Sequence, residues 1–291
     1  MPRARPRLHS ASAYQALAGG RTEVAESEVG YDRQVKVIVQ NIATEYTDEG
    51  LSASRQGEGM TLLMLPGWMN TIRDFDALAS RLVSTYRIVR LDFPGFKGGT
   101  EAPPSDWGVK EYAAFVRAFI EKIGLTSYVL IGHSFGGRVA IRGVGEGTLH
   151  PSRLILIASA GIAKHRTFRN RAFTVLAKVA KILMLVPPLS LWRAQLRKKL
   201  YKKLGSDYLA AGALSNMYLK VIREDLQEYA RKISIPTLLI WGSDDDMVPL
   251  SDGMLFNSLI KGSQLEVFPG VGHSPHVDCA EEVAKLIEQF V

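Results

Sequence analysis

A serine between two glycines follows a short apolar run near the middle of the chain. Gly132, Ser134 and Gly136 stand in the pattern Gly-x-Ser-x-Gly, behind the apolar residues 128–131 and before a helical pattern. A sharp strand-to-helix turn needs small neighbours on both sides, because the two backbones approach closely there. The alternative interpretation is a glycine-rich turn without chemistry. The position between a strand and a helix favours a nucleophile, so we predict that role for Ser134.

A base and an acid are needed to activate such a serine. A hydroxyl attacks a carbonyl efficiently only when a base takes its proton and an acid orients that base. His273 follows the last apolar run, and three aspartates at 244–246 follow the run at 237–242. The chain order serine, aspartate, histidine is the one used by hydrolases with this serine motif. The residues alone leave the choice among the three aspartates open.

Short apolar runs alternate with helical patterns along most of the chain. The runs are continuous, which is typical of strands covered on both faces of a parallel sheet. Residues 34–40 and 42–47 are candidates for antiparallel edge strands, and 109–124 and 280–291 show helical periodicity. This alternation predicts an α/β fold with a doubly wound, mostly parallel sheet. The runs predicted as buried strands are 61–66, 86–92, 127–132, 153–159, 237–242 and 264–270.

Basic residues concentrate in one part of the chain. The net charge is +7, yet residues 162–236 alone hold 16 Lys and Arg against 4 Asp and Glu. Helical periodicity without a clear strand predicts that 162–232 form a helical cap, inserted into a core of 34–161 and 233–291. Residues 1–33 begin with an arginine-rich stretch, and we predict a disordered extension there. Whether that extension has a targeting role is left open.

Several classes of protein do not match this composition. Cys279 is the only cysteine, so no internal disulfide can form, and we expect a cytoplasmic protein. The apolar stretch 173–192 is interrupted by two lysines and two prolines, so we predict no transmembrane span. No nucleic-acid motif accompanies the basic residues, and we expect no nucleic-acid partner. The basic amphipathic pattern at 192–205 favours a lid helix over one that lies on a membrane surface.

Four motifs make the chain resemble the α/β-hydrolase superfamily, in particular its capped serine esterases. The resemblance covers roughly residues 40–291. The motifs are LPGW at 65–68, DFPGF at 92–96, GHSFGG at 132–137, and WGSDDDMVP at 241–249 followed by GVGH at 270–273.

The resemblance implies a role for particular residues. The family pattern W-G-x-x-D-x-x-x-P selects Asp245 as the acid, and its G-x-G-H selects His273 as the base. The backbone N–H groups of Trp68 and Phe135 would form the oxyanion hole, although proline replaces the histidine that the family normally has at position 66. His133 would pack rather than react. His276, outside the motif, is expected at the surface or in a supporting position.

The expected function is hydrolysis of small carboxylic esters with short to medium acyl chains, through an acyl-enzyme and without a cofactor or metal. A carbon–carbon bond hydrolase of dienoic ketoacids and a lactonase use the same triad and remain alternatives. A ligand-binding receptor on the same scaffold is a third alternative. The sequence does not fix the oligomeric state.

Overall fold

A single eight-stranded sheet organises the described residues. The strand order is β1-β2-β4-β3-β5-β6-β7-β8. Strands β3 to β8 run parallel, whereas β2 pairs antiparallel with both β1 and β4. The predicted α/β fold with a mostly parallel sheet is therefore confirmed. The strands are β1 Gln34–Val39, β2 Ile42–Glu49, β3 Thr61–Leu65, β4 Arg87–Leu91, β5 Val129–His133, β6 Arg153–Ile157, β7 Thr237–Gly242 and β8 Gln264–Phe268.

The computed structural model describes residues 34–50, 60–104, 106–163 and 215–291. These residues belong to one compact unit, Asp32–Val291. The predicted extension 1–33 and most of the predicted cap lie outside the described residues, as do the apolar stretch 173–192 and the basic pattern 192–205. Among the helices that are described, none has the length and apolar character needed to cross a bilayer.

Helices cover both faces of the sheet. On one face α2 and α3 pack against each other, and on the other α1 packs against the last helix, α8. A short 3-10 helix, Ile72–Phe75, leads into α1. The described helices are α1 Asp76–Leu82, α2 Val109–Lys122, α3 Phe135–Glu146, α4 Ser215–Arg223, α5 Gln227–Ala230, α6 Leu250–Leu259, α7 Pro275–Asp278 and α8 Ala280–Phe290.

Burial on both faces explains why the strand sequences are continuously apolar. Successive side chains of a strand point to opposite faces. In β3, Leu63 and Leu65 join the hydrophobic cluster under α2 and α3, whereas Leu62 and Met64 join the cluster under α1 and α8. Every residue of β3 is buried, as a strand between two layers of helices requires.

The last strand differs from the prediction. The prediction that 264–270 form a buried strand is wrong, because Gln264, Glu266 and Val267 of β8 are exposed. β8 lies at the edge of the sheet and has β7 as its one neighbour in the strand order. A continuous apolar pattern does not distinguish a central strand from an edge strand when the edge carries only a few apolar residues.

A set of hydrogen bonds joins the two sides of the undescribed segment 164–214. The N–H of Leu226 donates to the carbonyl of Gly161 at 2.9 Å. Arg138 of α3 donates through Nη1 to the carbonyls of Val221 and Glu224, at 2.8 and 2.9 Å, near the end of α4. Burial lowers the pKa of Arg138 to about 10. These bonds hold the residues that flank 164–214 against each other and against α3.

The residues that follow the parallel strands lie at one edge of the sheet. Leu65 lies opposite Gly132 in the pairing of β3 with β5, and His133 lies opposite Ile157 in the pairing of β5 with β6. In open α/β sheets the carboxyl ends of the strands form the functional edge. The residues singled out from the sequence follow β3, β5 and β7, or the turn after β8, and so belong to this edge.

Candidate active site

Ser134 stands at the turn between β5 and α3 in a strained conformation. Its φ is 49° and its ψ is −106°, a region that residues with a side chain rarely adopt. The Ser134 N–H donates to the carbonyl of Ile157 at 3.0 Å, and its carbonyl accepts the N–H of Ala160 at 3.1 Å. Such strain costs about 1–3 kcal/mol and persists where the surroundings fix the backbone. These two bonds to the end of β6 supply that restraint.

The glycines on either side of Ser134 allow close backbone contact. A Cβ on Gly132 would lie 2.7 Å from the carbonyl oxygen of Gly136, and a Cβ on Gly136 would lie 2.0 Å from that of Leu65. The N–H of Gly136 instead donates to the carbonyl of Pro66 at 3.0 Å. The start of α3 is therefore held against the turn that follows β3.

Asp245 and His273 form a hydrogen-bonded pair. Asp245 Oδ2 lies 2.7 Å from His273 Nδ1, and the Asp245 side chain is fully buried. The other oxygen, Oδ1, accepts the backbone N–H groups of Met247 and Val248 at 2.9 and 2.8 Å. The carboxylate is thus held in one orientation and faces the imidazole with a single oxygen.

The neighbouring aspartates do not share this arrangement. Asp244 and Asp246 are exposed. Asp244 accepts the hydroxyl of Ser243 at 2.7 Å. Of the three candidates, the described contacts link Asp245 to His273, in agreement with the position that the family resemblance selects.

His133 connects the loop of His273 to the serine turn. Its Nε2 lies 3.1 Å from the carbonyl oxygen of His273, and the two rings are 5.0 Å apart between centroids. Because Ser134 is the next residue along the chain, this contact places the His273 loop beside the turn that carries the serine. The structure therefore gathers Ser134, Asp245 and His273 at one edge of the sheet.

Phe135 and Trp68, whose backbone N–H groups are the predicted oxyanion donors, contact each other next to the serine turn. Phe135 is the first residue of α3, so its N–H has no partner within the helix. Trp68 belongs to the turn after β3, which is closed by the Asn70 N–H donating to the Gly67 carbonyl at 3.1 Å. The rings of Trp68 and Phe135 pack edge to face at 5.3 Å. The two predicted oxyanion donors thus belong to adjoining residues.

An aromatic group surrounds Trp68. The indole lies 5.0 Å from the ring of Phe96 and 5.3 Å from the ring of Tyr218, between centroids. Its Nε1 is buried and has no acceptor among the described residues. Phe93 and Tyr112 extend the same group beneath Phe135. The side of the site next to the candidate donors is therefore apolar and aromatic.

A second polar cluster lies behind the site and was not predicted. Asp74, in the 3-10 helix, places Oδ2 2.9 Å from His133 Nδ1 and accepts the Gly67 N–H with the same oxygen at 3.0 Å. The His276 ring packs against the His133 ring with centroids 4.2 Å apart and 49° between the ring planes, and its Nε2 is 3.6 Å from Asp74 Oδ1. Asp74 belongs to no motif, so the sequence offered no signal for it.

The expected surface position of His276 is wrong. The residue is completely buried, and neither ring nitrogen has a hydrogen-bond partner among the described residues. Its ring also packs against Phe75, 5.0 Å away between centroids. The other position expected for His276, a supporting one, fits these contacts.

Burial and neighbouring charge shift two pKa values in this cluster. Burial by itself raises the pKa of Asp74, but the charge and hydrogen bond of His133, helped by His276, outweigh it and hold that pKa well below its usual range. Burial, with the charge of His133, lowers the pKa of His276 to about 4. At neutral pH Asp74 is therefore a carboxylate and His276 is uncharged.

The same cluster has the composition of a metal site. Asp74, His133 and His276 each offer one atom, and these atoms lie within 4.8 Å of one another. However, Asp74 Oδ2 and His133 Nδ1 are already at hydrogen-bond distance, and Asp74 Oδ1 accepts the Asn70 side-chain amide at 2.7 Å. Protons shared between these atoms account for the arrangement, and we assign no cation to it.

Acidification is expected to destabilise the fold through His276. Its pKa is about 4 in the folded protein against 6.5 for an ordinary histidine, so the unfolded chain binds more protons between these values. The stability that His276 contributes is therefore complete above about pH 6.5 and is lost as the pH falls towards 4. Between pH 7 and pH 5 the loss in the free energy of unfolding is about 2 kcal/mol, at about 1.4 kcal/mol per pKa unit.

Urea unfolding at pH 7 and pH 5 measures this loss. We expect His276→Phe, which keeps the packing on Phe75 without a titrating ring, to lose about 2 kcal/mol less than the wild type over this range. His150→Gln removes an exposed histidine and should behave as the wild type. An unchanged pH dependence in His276→Phe would show that another group is responsible.

Comparison with known proteins places the chain among hydrolases. The sequence profile described as "Alpha/beta hydrolase family" matches residues 62–286. A monoacylglycerol lipase of Xenopus laevis is 24% identical over 267 residues, covering 84% of this chain and 78% of the lipase. The 2-hydroxy-6-oxononadienedioate/2-hydroxy-6-oxononatrienedioate hydrolase of Comamonas testosteroni is 26% identical over 277 residues, covering 84% of this chain and 93% of that enzyme.

The fold also matches solved structures. A crystal structure described as a membrane phospholipase A, a bacterial virulence factor, superposes with a TM-score of 0.68 at 24% identity, covering 89% of this chain and 85% of that one. At this identity the likeness concerns the fold alone. It supports the fold described above.

Proposed function

The chain belongs to the alpha/beta hydrolase family, and we propose that it is a serine hydrolase that cleaves carboxylic esters. The observation that carries the proposal is the 2.7 Å contact between the buried Asp245 carboxylate and His273 Nδ1, beside the strained turn of Ser134. A serine needs such a base and such an orienting acid to act as a nucleophile.

The proposed reaction runs through a covalent acyl-enzyme. Ser134 Oγ attacks the ester carbonyl while His273 Nε2 takes the hydroxyl proton, and Asp245 holds the imidazole through Nδ1. The tetrahedral oxyanion accepts hydrogen bonds from the N–H groups of Trp68 and Phe135. Collapse of this intermediate breaks the bond to the alcohol oxygen, which receives the proton from His273. Water then attacks the acyl-enzyme by the same steps and releases the acid.

These steps use only water, side chains and backbone N–H groups of the protein. Asp245 remains a carboxylate throughout, because its role is to fix the tautomer and stabilise the imidazolium. The two backbone donors that hold Asp245 Oδ1, at 2.9 and 2.8 Å, keep the carboxylate from rotating during that change. We therefore propose a reaction without a cofactor or metal.

The aromatic surroundings favour an apolar acyl group of short to medium length. Trp68, Phe96 and Tyr218 pack together next to the candidate oxyanion donors. Ligand pockets are lined mainly by apolar and aromatic side chains with a few polar groups that orient the ligand. We propose that the segment 162–232 closes this pocket as a cap and so limits acyl length.

Carbon–carbon bond hydrolysis of a ketoacid is the second candidate. It is favoured by the 26% identity to the Comamonas testosteroni hydrolase and by the 16 Lys and Arg among residues 162–236, which could attract a carboxylate. Attraction of this kind is screened by salt, with a Debye length of about 8 Å at physiological ionic strength.

Substrate preference tests the proposal. We expect short nitrophenyl esters to give the highest kcat/KM, with a decline as the acyl chain lengthens and little change between low and high salt. A dienoic ketoacid with a free carboxylate, assayed in parallel, is expected to react more slowly.

Two results would contradict this expectation. A ketoacid that reacts faster by orders of magnitude, with a rate that falls steeply as salt is added, would establish the carbon–carbon bond hydrolase instead. A preference for long acyl chains in emulsion over dissolved short esters would indicate a site that opens at a lipid surface.

A further inference from the structure

The Asp74 carboxylate touches two segments of the candidate active site and reaches a third through His133. Its Oδ2 accepts the Gly67 N–H at 3.0 Å and lies 2.9 Å from His133 Nδ1. Its Oδ1 accepts the Asn70 amide at 2.7 Å. Gly67 and Asn70 bracket Trp68, and His133 precedes Ser134. A single carboxylate thus connects the turn after β3 with the turn after β5.

His133 extends the connection to the loop of the base. Its Nε2 lies 3.1 Å from the carbonyl oxygen of His273. A carbonyl oxygen only accepts, so Nε2 must carry a hydrogen. The Nδ1 of the same ring lies 2.9 Å from Asp74 Oδ2, so a proton between these two atoms completes the connection.

The pair formed by His133 and Asp74 is enclosed. The side chains of His133 and Asp74 are 2% and 8% exposed. His276 covers the His133 ring at 4.2 Å between centroids, and His273 lies on another side. A Cβ on Gly67 would come within 3.0 Å of His133 Nδ1, so the turn after β3 fits tightly against the pair. Hydrogen bonds to a carboxylate are among the stronger ones in proteins.

We propose that Asp74 is a positioning residue, which acts through His133 to hold the Trp68 turn, the Ser134 turn and the His273 loop at fixed separations. The proposal rests on the proposed function. Asp74 touches neither the substrate nor the reacting atoms in this scheme. Its effect is on the distances among the Trp68 N–H, Ser134 and His273.

Asp74→Asn tests the proposal against a matched control. The N–H₂ would replace either Oδ2, which His133 and the Gly67 N–H share, or Oδ1, which accepts the Asn70 amide, so one contact of the connection is lost. We expect kcat to fall about 100-fold, the cost of a misplacement of about 1 Å, while KM changes less than about threefold because ground-state binding is untouched. Asp76→Asn removes a carboxylate two residues away that pairs with Arg90, and it should leave kcat unchanged even if it lowers Tm.

A transition-state analogue separates positioning from loss of fold. In Asp74→Asn the affinity for a trifluoromethyl ketone, which forms the tetrahedral adduct with Ser134, should fall by the same factor as kcat/KM. Asp76→Asn should bind it as the wild type does. Unchanged kcat and unchanged analogue affinity in a folded Asp74→Asn would overturn the proposal.

Nitrogen-15 spectra of histidine-labelled protein give a readout that does not depend on activity. The signals of the His133 ring, assigned by their absence in His133→Gln, should change in Asp74→Asn and stay as in the wild type in Asp76→Asn. Unchanged His133 signals in Asp74→Asn would overturn the proposal. If the wild type hydrolyses no ester but its His133 signals depend on Asp74, the proposed function fails while the connection stands.

Discussion

Ser134→Ala is expected to lower kcat for nitrophenyl ester hydrolysis about 10⁶-fold, because removal of the nucleophile in a serine triad costs nearly as much as removal of the whole triad. The change deletes one oxygen from a half-buried side chain and keeps the Cβ. The strained backbone at φ 49° is as costly for alanine as for serine, so thermal unfolding should be nearly unchanged. Initial rates and Tm on the same preparation check both expectations.

A nearby serine provides the control for this variant. Ser159 is buried beside the start of α3, and its hydroxyl donates to the carbonyl of Ala160 at 3.1 Å. Ser159→Ala should keep a rate close to that of the wild type and should still react with a fluorophosphonate, whereas Ser134→Ala should not. Turnover of Ser134→Ala within tenfold of the wild type would mean that another residue is the nucleophile. A wild type that the fluorophosphonate does not label would favour the ligand-binding receptor.

Asp245→Asn is expected to lower kcat about 10⁴-fold, as the equivalent change does in a serine protease triad. Asparagine can still accept the N–H groups of Met247 and Val248 through Oδ1. It then presents an N–H₂ to His273 Nδ1, which must accept, so the remaining proton moves to Nε2. That tautomer cannot take the proton of Ser134. The geometry is kept and the base is lost.

The two neighbouring aspartates are natural controls. Asp244 and Asp246 are exposed, so Asp244→Asn and Asp246→Asn should change kcat less than about tenfold, as surface substitutions away from a site usually have small effects. A comparison of kcat among the three variants at equal folded fraction decides the assignment. A greater loss in Asp244→Asn or Asp246→Asn than in Asp245→Asn would show that the acid has been assigned to the wrong residue.

The sheet could be predicted because a strand that is buried on both faces has a continuous run of apolar residues in the sequence. β3 is apolar at four of its positions since Leu62 and Met64 face one layer while Leu63 and Leu65 face the other. At β8 this apolar pattern is ambiguous. Leu265, Val267 and Phe268 are apolar, but the strand is at the edge, and one-sided pairing cannot be recognised from three apolar residues.

Part of the candidate site could likewise be predicted from the sequence, and part could not. Ser134, Asp245 and His273 stand in short motifs, so their positions could be proposed from residues close to each of them in sequence. Asp74 reaches His133 across 59 positions, and its type and neighbours carry no pattern. The local sequence of His276 left a surface and a supporting position open, because it does not reveal that the ring packs against His133. Contacts made only by the folded chain were the ones missed.

The fixed ends of the segment 164–214 have an evolutionary consequence. Leu226 is tied to Gly161, and Arg138 holds the end of α4 through two carbonyls. Because the acceptors are backbone carbonyls, these bonds do not depend on which side chains stand at 161, 221 and 224. Selection on this junction therefore acts mainly on Arg138, the one side chain that the bonds require.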